Sequence, residues 1–288
     1  MTDRLRLLWD FDDLDATDER FRALIEAESG SGRAEVLTQL ARLESLRGDF
    51  DAGEQFIKEA ETLAGQSDVA RARIDLERGR LRRSSGNVEA ARPLFEAAFA
   101  VALEAGEYFI AVDAAHMAAL AASDSDGFLA WTKRGIDLAE AEEEAAYWLE
   151  PLLNNLGWEY YEAGDFESSF DVFERALEAR DRDRANPNAI EIARYAVGKT
   201  LRALGRPGEA VPLLEDAVAC AESEGAPDGW FHEELAEEYS ALGRGDDARE
   251  QARLALPLLL AADPSFADDA ERASRLGQLA GETDSADG

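Results

Sequence analysis

Glycine recurs through this chain at a near-constant interval, each time just ahead of a helix-forming run with a small residue five places on. The runs read LRGDFDAGEQFIKEA, SSGNVEAARPLFEAA, EAGDFESSFDVFERA, ALGRPGEAVPLLEDA and ALGRGDDAREQARLA. Their turn glycines are Gly48, Gly86, Gly164, Gly205 and Gly243, at gaps of 38, 78, 41 and 38 residues. The gap of 78 holds two periods, and AHMAALAASDSDGFLAWTKRGIDLA supplies the missing member, with its turn at 123–127. A period of this length constrains the fold more than composition does. One unit cannot bury its apolar face alone, so successive units must stack.

The residues within a unit predict a pair of antiparallel helices. Ala and Leu dominate the apolar positions, and the β-branched runs that announce strands are missing. Each turn glycine suits a left-handed helix end, and Asp49, Asn87 or Asp165 follows in position to cap the next helix. Pro207 stands where a first helical turn tolerates proline. Small residues, Gly157 opposite Ser169 and Gly198 opposite Ala210, let paired helices approach closely, and Phe95, Phe173 and Leu214 are expected to fill the space between neighbouring pairs. The expected fold is an all-α solenoid of about six stacked pairs with a capping helix at each end.

Six units are expected near 34–64, 68–105, 107–140, 145–181, 187–224 and 228–262. Ahead of them, 1–33 forms an N-terminal segment and capping helix. That helix covers 17–28, capped by Thr17 or Asp18, with GSGR at 30–33 as a linker. The stretch LLWDFDDLD is expected to lie over the open end of the first unit, anchored by Trp9 and Phe11. Residues 263–280 form the closing helix and 281–288 a disordered tail. The weakest joint of the stack is expected near the third unit and the AEAEEEAAYW that follows it.

Charge narrows the function classes. The chain carries 62 Asp+Glu against 30 Lys+Arg, a formal net of -32, which argues against nucleic acid and anionic membranes as partners. Only three basic residues are lysines: Lys58, Lys133 and Lys199. Acid-rich, lysine-poor surfaces suit a cytoplasm of molar salt, where screening acts within roughly 3 Å; a GC-rich genome favouring Arg and Ala codons is the alternative source of the bias. Cys220 is the one cysteine and His116 and His232 the two histidines, too few for a disulfide framework, a structural zinc site or a cofactor cradle. All three are read as packing residues. No secretory signal and no span of about 20 apolar residues is seen, so the expected compartment is the cytoplasm. There is no phosphate-cradling glycine loop and no nucleophile elbow, and the acidic runs read as solvated surface.

In the fourth unit Leu153, Leu156, Gly157, Tyr160, Gly164, Ser169, Phe173 and Ala176 fall on the W, L, G, Y, G, A, F, A positions of the tetratricopeptide repeat, a family the chain resembles over about 34–260. The fifth unit offers Gly198, Gly205, Ala210, Leu214 and Ala217; the sixth offers Leu235, Ala236, Tyr239, Gly243, Ala248 and Ala255. The period exceeds the family's, which is about 34 residues. In the second unit Arg78 and Arg82 take positions that the family fills with buried apolar residues. The resemblance implies a right-handed superhelix whose first helices line a concave groove through four positions per repeat. Carried over, these are Arg42 in the first unit, Arg73, Arg80 and Arg83 in the second, Asn154, Trp158 and Tyr161 in the fourth, and Tyr195, Lys199 and Arg202 in the fifth. The family's five-residue clamp for a C-terminal carboxylate is not matched as a set, although Asn154 falls on one of its positions.

Two readings of that face stand. Its Arg, Lys and aromatic side chains anchor a partner, or they pair with Glu and Asp of adjacent helices and fill space between repeats. The expected function is a non-catalytic protein–protein interaction scaffold that holds a partner peptide or helix in the groove. The second expectation is a ligand-responsive regulator sensing a small molecule or short peptide, and self-association is a further outcome. Catalysis is not expected. If the acidic surface is an adaptation to salt, the melting temperature in molar KCl exceeds that in dilute buffer; equal values in thermal melts remove the halophilic reading.

Overall fold

The computed structural model describes residues 3–182 and 188–281. Among them are fourteen α-helices and no strand, so the fold is an all-α repeat. The tail from residue 282 lies outside the described residues, as does residue 187, where the fifth unit was expected to start. The chain divides into two compact units, 1–152 and 153–288, with the division just past AEAEEEAAYW.

The first unit opens with a 3-10 turn, Arg6–Leu8, followed by α1 (Leu14–Ala27). Three helix pairs follow: α2 (Gly30–Arg47) with α3 (Phe50–Ala64), α4 (Asp68–Ser84) with α5 (Val88–Ala105), and α6 (Tyr108–Leu120) with α7 (Ser125–Ala141). A second 3-10 turn, Glu143–Trp148, leads into α8 (Leu149–Glu162). The second unit takes the rest of α8 with α9 (Phe166–Arg182), α10 (Asn188–Ala203) with α11 (Pro207–Ser223), and α12 (Gly229–Ala241) with α13 (Gly245–Ala262). A 3-10 turn, Pro264–Asp268, and α14 (Ala270–Ala280) close it.

The turns are built as their residues dictate. All five turn glycines have positive φ, from 71° at Gly205 to 88° at Gly86, where an L side chain is strained. Asp49 accepts from the Ala52 N–H, Asn87 from that of Ala90 and Asp165 from that of Ser168. Each thereby satisfies a donor that the helix itself leaves open.

One packing couple repeats through the pairs. A glycine on the first helix receives a large side chain sixteen residues later on the second: Gly79 with Phe95, Gly157 with Phe173 and Gly198 with Leu214. A Cβ on Gly157 would stand 2.5 Å from the Phe173 ring, and one on Gly198 would stand 2.9 Å from Leu214. Phe95, Phe173 and Leu214 thus meet the first helix of their own pair, and as expected they also join the next pair in a buried cluster: Phe95 with Ile110 and Ala114, Phe173 with Ala196 and Val197, Leu214 with Phe231 and Leu235. Ser169 Oγ donates to the Gly157 carbonyl at 2.9 Å, locking the same crossing. The Gly79–Phe95 couple also gives the second repeat the same register as the fourth.

Several expectations are corrected. The first helix starts at Leu14 with Asp13 as its cap, accepting from the Ala16 N–H. Thr17, expected as a cap, is buried inside that helix and exchanges hydrogen bonds with the backbone of Asp10. Residues 30–33 are the first turn of α2 and not a linker, since Arg33 holds the end of α1 by donating to the Ile25 carbonyl at 3.2 Å. Arg78 and Arg82, at positions the family keeps apolar, face α3 and meet its carboxylates. Arg78 reaches Glu61 at 2.7 Å and Glu54 at 3.2 Å, and Arg82 reaches Glu54 at 2.9 Å. That seam is ionic.

Gly157→Ala should cost about 1–3 kcal/mol in urea unfolding, as over-packing does, and Phe173→Leu in the same chain should recover part of it. Gly208→Ala, where a Cβ meets nothing within 4 Å, is the control and should leave stability unchanged or slightly raised.

Candidate functional site

The first helices of the pairs carry polar side chains on a face that takes no part in the glycine couples. In the first unit that face belongs to α2, α4 and α6. Arg80 on α4 donates to Glu77 Oε1 at 2.5 Å and reaches across to Asp113 on α6. All three are buried. Burial pushes the Glu77 carboxyl up; it works the same way on Asp113, but the Arg80 guanidinium overrides it and holds Asp113 below the usual carboxylate range. Arg73 pairs with Asp3 and lies 3.4 Å from Glu35. Arg42 is half-buried, its guanidinium 5.1 Å from the centroid of the Trp9 ring, and burial and the Arg80 charge both disfavour its cation. Arg83 is half-buried on the same helix as Arg80. The His116 imidazole, whose ring centre lies 5.6 Å from that of Trp148, is pushed down to about 4, mainly by burial and against the pull of Asp113. It is neutral at physiological pH.

In the second unit α10, α12 and α14 enclose a cleft of about 250 Å³ lined by Lys199, Arg202, Glu233, Glu234, Glu237, Asp269, Glu271, Arg272 and Arg275. Helix α12 supplies the central carboxylates. Glu234, which is buried, is gripped by two cations of α10: Lys199 at 3.3 Å, and Arg202 in a two-pronged contact whose second arm is 3.1 Å. From the other side Arg272 forks onto Glu233, one arm at 2.7 Å, and Arg275 lies 2.7 Å from Glu237. Forked guanidinium–carboxylate pairs fix direction as well as charge. Four cations against five carboxylates make the cleft almost neutral in a chain of net charge -32.

A row of rings adjoins it. The centroid of Trp158 lies 5.6 Å from that of Tyr161, 5.1 Å from Phe173 and 6.5 Å from Tyr195, and Tyr195 lies 5.6 Å from Phe231. Tyr195 accepts from Lys199 at 3.3 Å, while burial raises its phenol. Asn154 is half-buried on α8.

The ten residues expected to share one groove thus fall into two sets, one in each unit: Arg42, Arg73, Arg80 and Arg83, and Asn154, Trp158, Tyr161, Tyr195, Lys199 and Arg202. Arg73, Arg80, Lys199 and Arg202 each meet a carboxylate of this chain. Glu233 and Glu237 stand in the sixth repeat where Tyr195 and Lys199 stand in the fifth, counting from Gly243 and Gly205, so the register could have named them. Arg272 and Arg275 sit on a helix outside the repeats, where no periodicity points. His232 is buried, its Nδ1 2.7 Å from Gln251 Oε1, and Cys220 is half-buried. Among the described residues no group of three or more His, Cys, Asp or Glu could hold a metal ion, and no helix is long and apolar enough to cross a membrane.

The sequence profile of the tetratricopeptide repeat matches residues 152–182 and 193–224, the fourth and fifth helix pairs. These two pairs are tetratricopeptide repeats. Three solved structures share its fold. A signal transduction ATPase with numerous domains and a tetratricopeptide repeat sensor, from Pyrococcus horikoshii, is 14 % identical over 93 % of this chain and 44 % of that one, with a TM-score of 0.70. The apo form of RapI is 13 % identical over 87 % and 69 %, at 0.69. BtubC (BKLC) from P. vanneervenii is 18 % identical over 77 % and 93 %, at 0.59. The repeat chain spans under half the length of the Pyrococcus protein. No curated protein matches its sequence.

Beside the cleft lies Glu238 of α12, 0 % exposed, with neither carboxyl oxygen hydrogen-bonded. Burial first, then the Glu234 charge, pushes it up to about 8, so it is largely protonated at pH 7. Between its ordinary value of about 4.3 and 8 the unfolded chain releases this proton while the fold keeps it. Stability therefore falls as pH rises through that window and levels off above it. Glu238→Gln should match the parent in thermal melts near pH 4.5 and gain about 2–4 °C or more by pH 8.5.

Proposed function

We propose that this repeat protein is a non-catalytic interaction scaffold, and that its second unit takes a carboxylate-bearing peptide or helix in the cleft of α10, α12 and α14. The observation that carries this reading is the grip of Lys199 and Arg202 on the single carboxylate of Glu234, beside the rings of Tyr195, Trp158 and Tyr161. An incoming carboxylate would share the two cations with Glu234, so they are never left bare, and the rings would supply the apolar anchors that dominate peptide affinity. Net affinity would come from these few groups and not from total area. The acidic surface and lone cysteine fit a reducing, salt-rich cytoplasm as the setting.

A second reading is a sensor of a small ligand, and the cleft volume favours it. About 250 Å³ is close to the lower end of small-molecule sites, and the Pyrococcus protein of similar fold carries a repeat sensor. A small molecule retained through purification would support this reading.

The scaffold reading is tested on a partner captured from cells at their own salt concentration. Lys199→Gln with Arg202→Gln should weaken that partner at least tenfold in a direct titration. Adding Glu234→Gln, which removes the carboxylate the double change strands, should restore the melting temperature without restoring binding. Unchanged binding in either chain would remove the cleft as the site.

A further inference from the structure

The face of α2 and α4 carries Gln39, Arg42 and Arg73, polar groups that a face built only to seal a core would not need. All three are met by one short stretch, residues 3–11. Asp3 pairs with Arg73, and their side chains are 8 % and 7 % exposed. Leu5 is fully buried in a cluster with Phe21, Val36, Leu40 and Leu43. The Trp9 indole enters the same cluster, its Nε1 donating to Gln39 Oε1 at 2.9 Å while the Arg42 guanidinium lies 5.1 Å from its centroid. Between them Arg6 donates to the Tyr147 hydroxyl at 2.9 Å. Anchors at positions 3, 5 and 9, held by side chains of other elements, are the contacts of a docked peptide.

The stretch also has a free side and a dispensable grip. Leu7 is 77 % exposed and Phe11 45 %. The groups it covers keep other partners when it leaves. Arg73 retains Glu35 at 3.4 Å, the Gln39 amide retains the Thr38 hydroxyl at 3.2 Å, and Arg42 stays in the field of Glu77 and Asp113. Departure therefore orphans no buried charge, which is the usual reason that a segment cannot leave.

We propose that residues 3–11 are an internal ligand of the α2–α4 face, and that a peptide segment from another molecule takes the same place when it presents a carboxylate six residues ahead of an indole. The segment is the first unit's own competitor: a partner must displace it, so its opening sets the apparent affinity. This goes beyond the cleft reading, concerns a different surface in the other unit, and stands or falls separately.

The probe is a dye-labelled synthetic peptide with the sequence of residues 3–12, read by fluorescence anisotropy against the full chain. Asp3→Asn with Trp9→Ala loosens the internal copy. That chain should bind the peptide at least tenfold tighter than the parent does, and Arg73→Gln added to it should remove the gain. In the parent chain, backbone amides of residues 5–10 should exchange with deuterium at least tenfold faster than those in the middle of α2. Equal binding by the loosened and parent chains overturns the proposal. So does loss of the first unit's helices in the loosened chain, or exchange of residues 5–10 only at the rate of α2, because the stretch is then core and not ligand.

Discussion

The crossing of three of the helix pairs depends on a side chain that is not there. At Gly79, Gly157 and Gly198 the absent Cβ makes a socket, and Phe95, Phe173 or Leu214 occupies it. Burying such a side chain yields about 1.5–3 kcal/mol, and the close contact sets the distance between helices. The first and sixth pairs reach the same end with alanine. Ala41 stands at the socket position on α2 opposite Gly53, and Ala236 on α12 is fully buried. The other side of the first helix is buried as well, Glu77, Arg80 and Glu234 among its residues.

That second side is where the charges are. Arg80 with Glu77 and Asp113, Arg73 with Asp3 and Glu35, and Lys199 and Arg202 with Glu234 follow one rule: a cation at an inward repeat position is kept company by a carboxylate of the same chain. A buried cation left alone costs about 3–5 kcal/mol, so an empty binding face cannot display bare guanidinium groups. An internal carboxylate solves this and can be exchanged for another of the same charge. In the first unit Asp3 belongs to a stretch that can leave; in the second, Glu234 belongs to a helix that cannot. A partner of the second unit must therefore share the cations, while a partner of the first replaces a whole segment.

The periodic part of this design was open to reading. Turn glycines, cap residues, repeat spacing and the inward positions of α2, α4, α8 and α10 all follow from local sequence, because each is decided within one helix or one turn. What was not legible is decided between helices. The contact of Phe95 with Gly79 inside its own pair was not foreseen, because a large residue on an apolar face gives no sign of which neighbour holds its socket. Thr17 looked like a cap because its hydroxyl can serve one, but Asp13 stands four residues earlier and Thr17 instead bonds the backbone of Asp10. The partners that Arg73, Arg80, Lys199 and Arg202 find on other helices or ahead of the array lie 32 or more residues away, where no spacing rule reaches. Arg272 and Arg275 come from α14, which repeats nothing.

The central claim is that carboxylates of the chain occupy inward cations in place of a partner's. Calorimetric titration of a captured partner into Glu234→Gln tests this most directly, since that change leaves Lys199 and Arg202 intact and takes away only their internal counter-charge. The account predicts several-fold tighter binding than in the parent chain, with the helices unchanged by circular dichroism. Binding that stays the same or weakens in a folded chain would contradict it, and would make Glu234 a structural ion pair and nothing more.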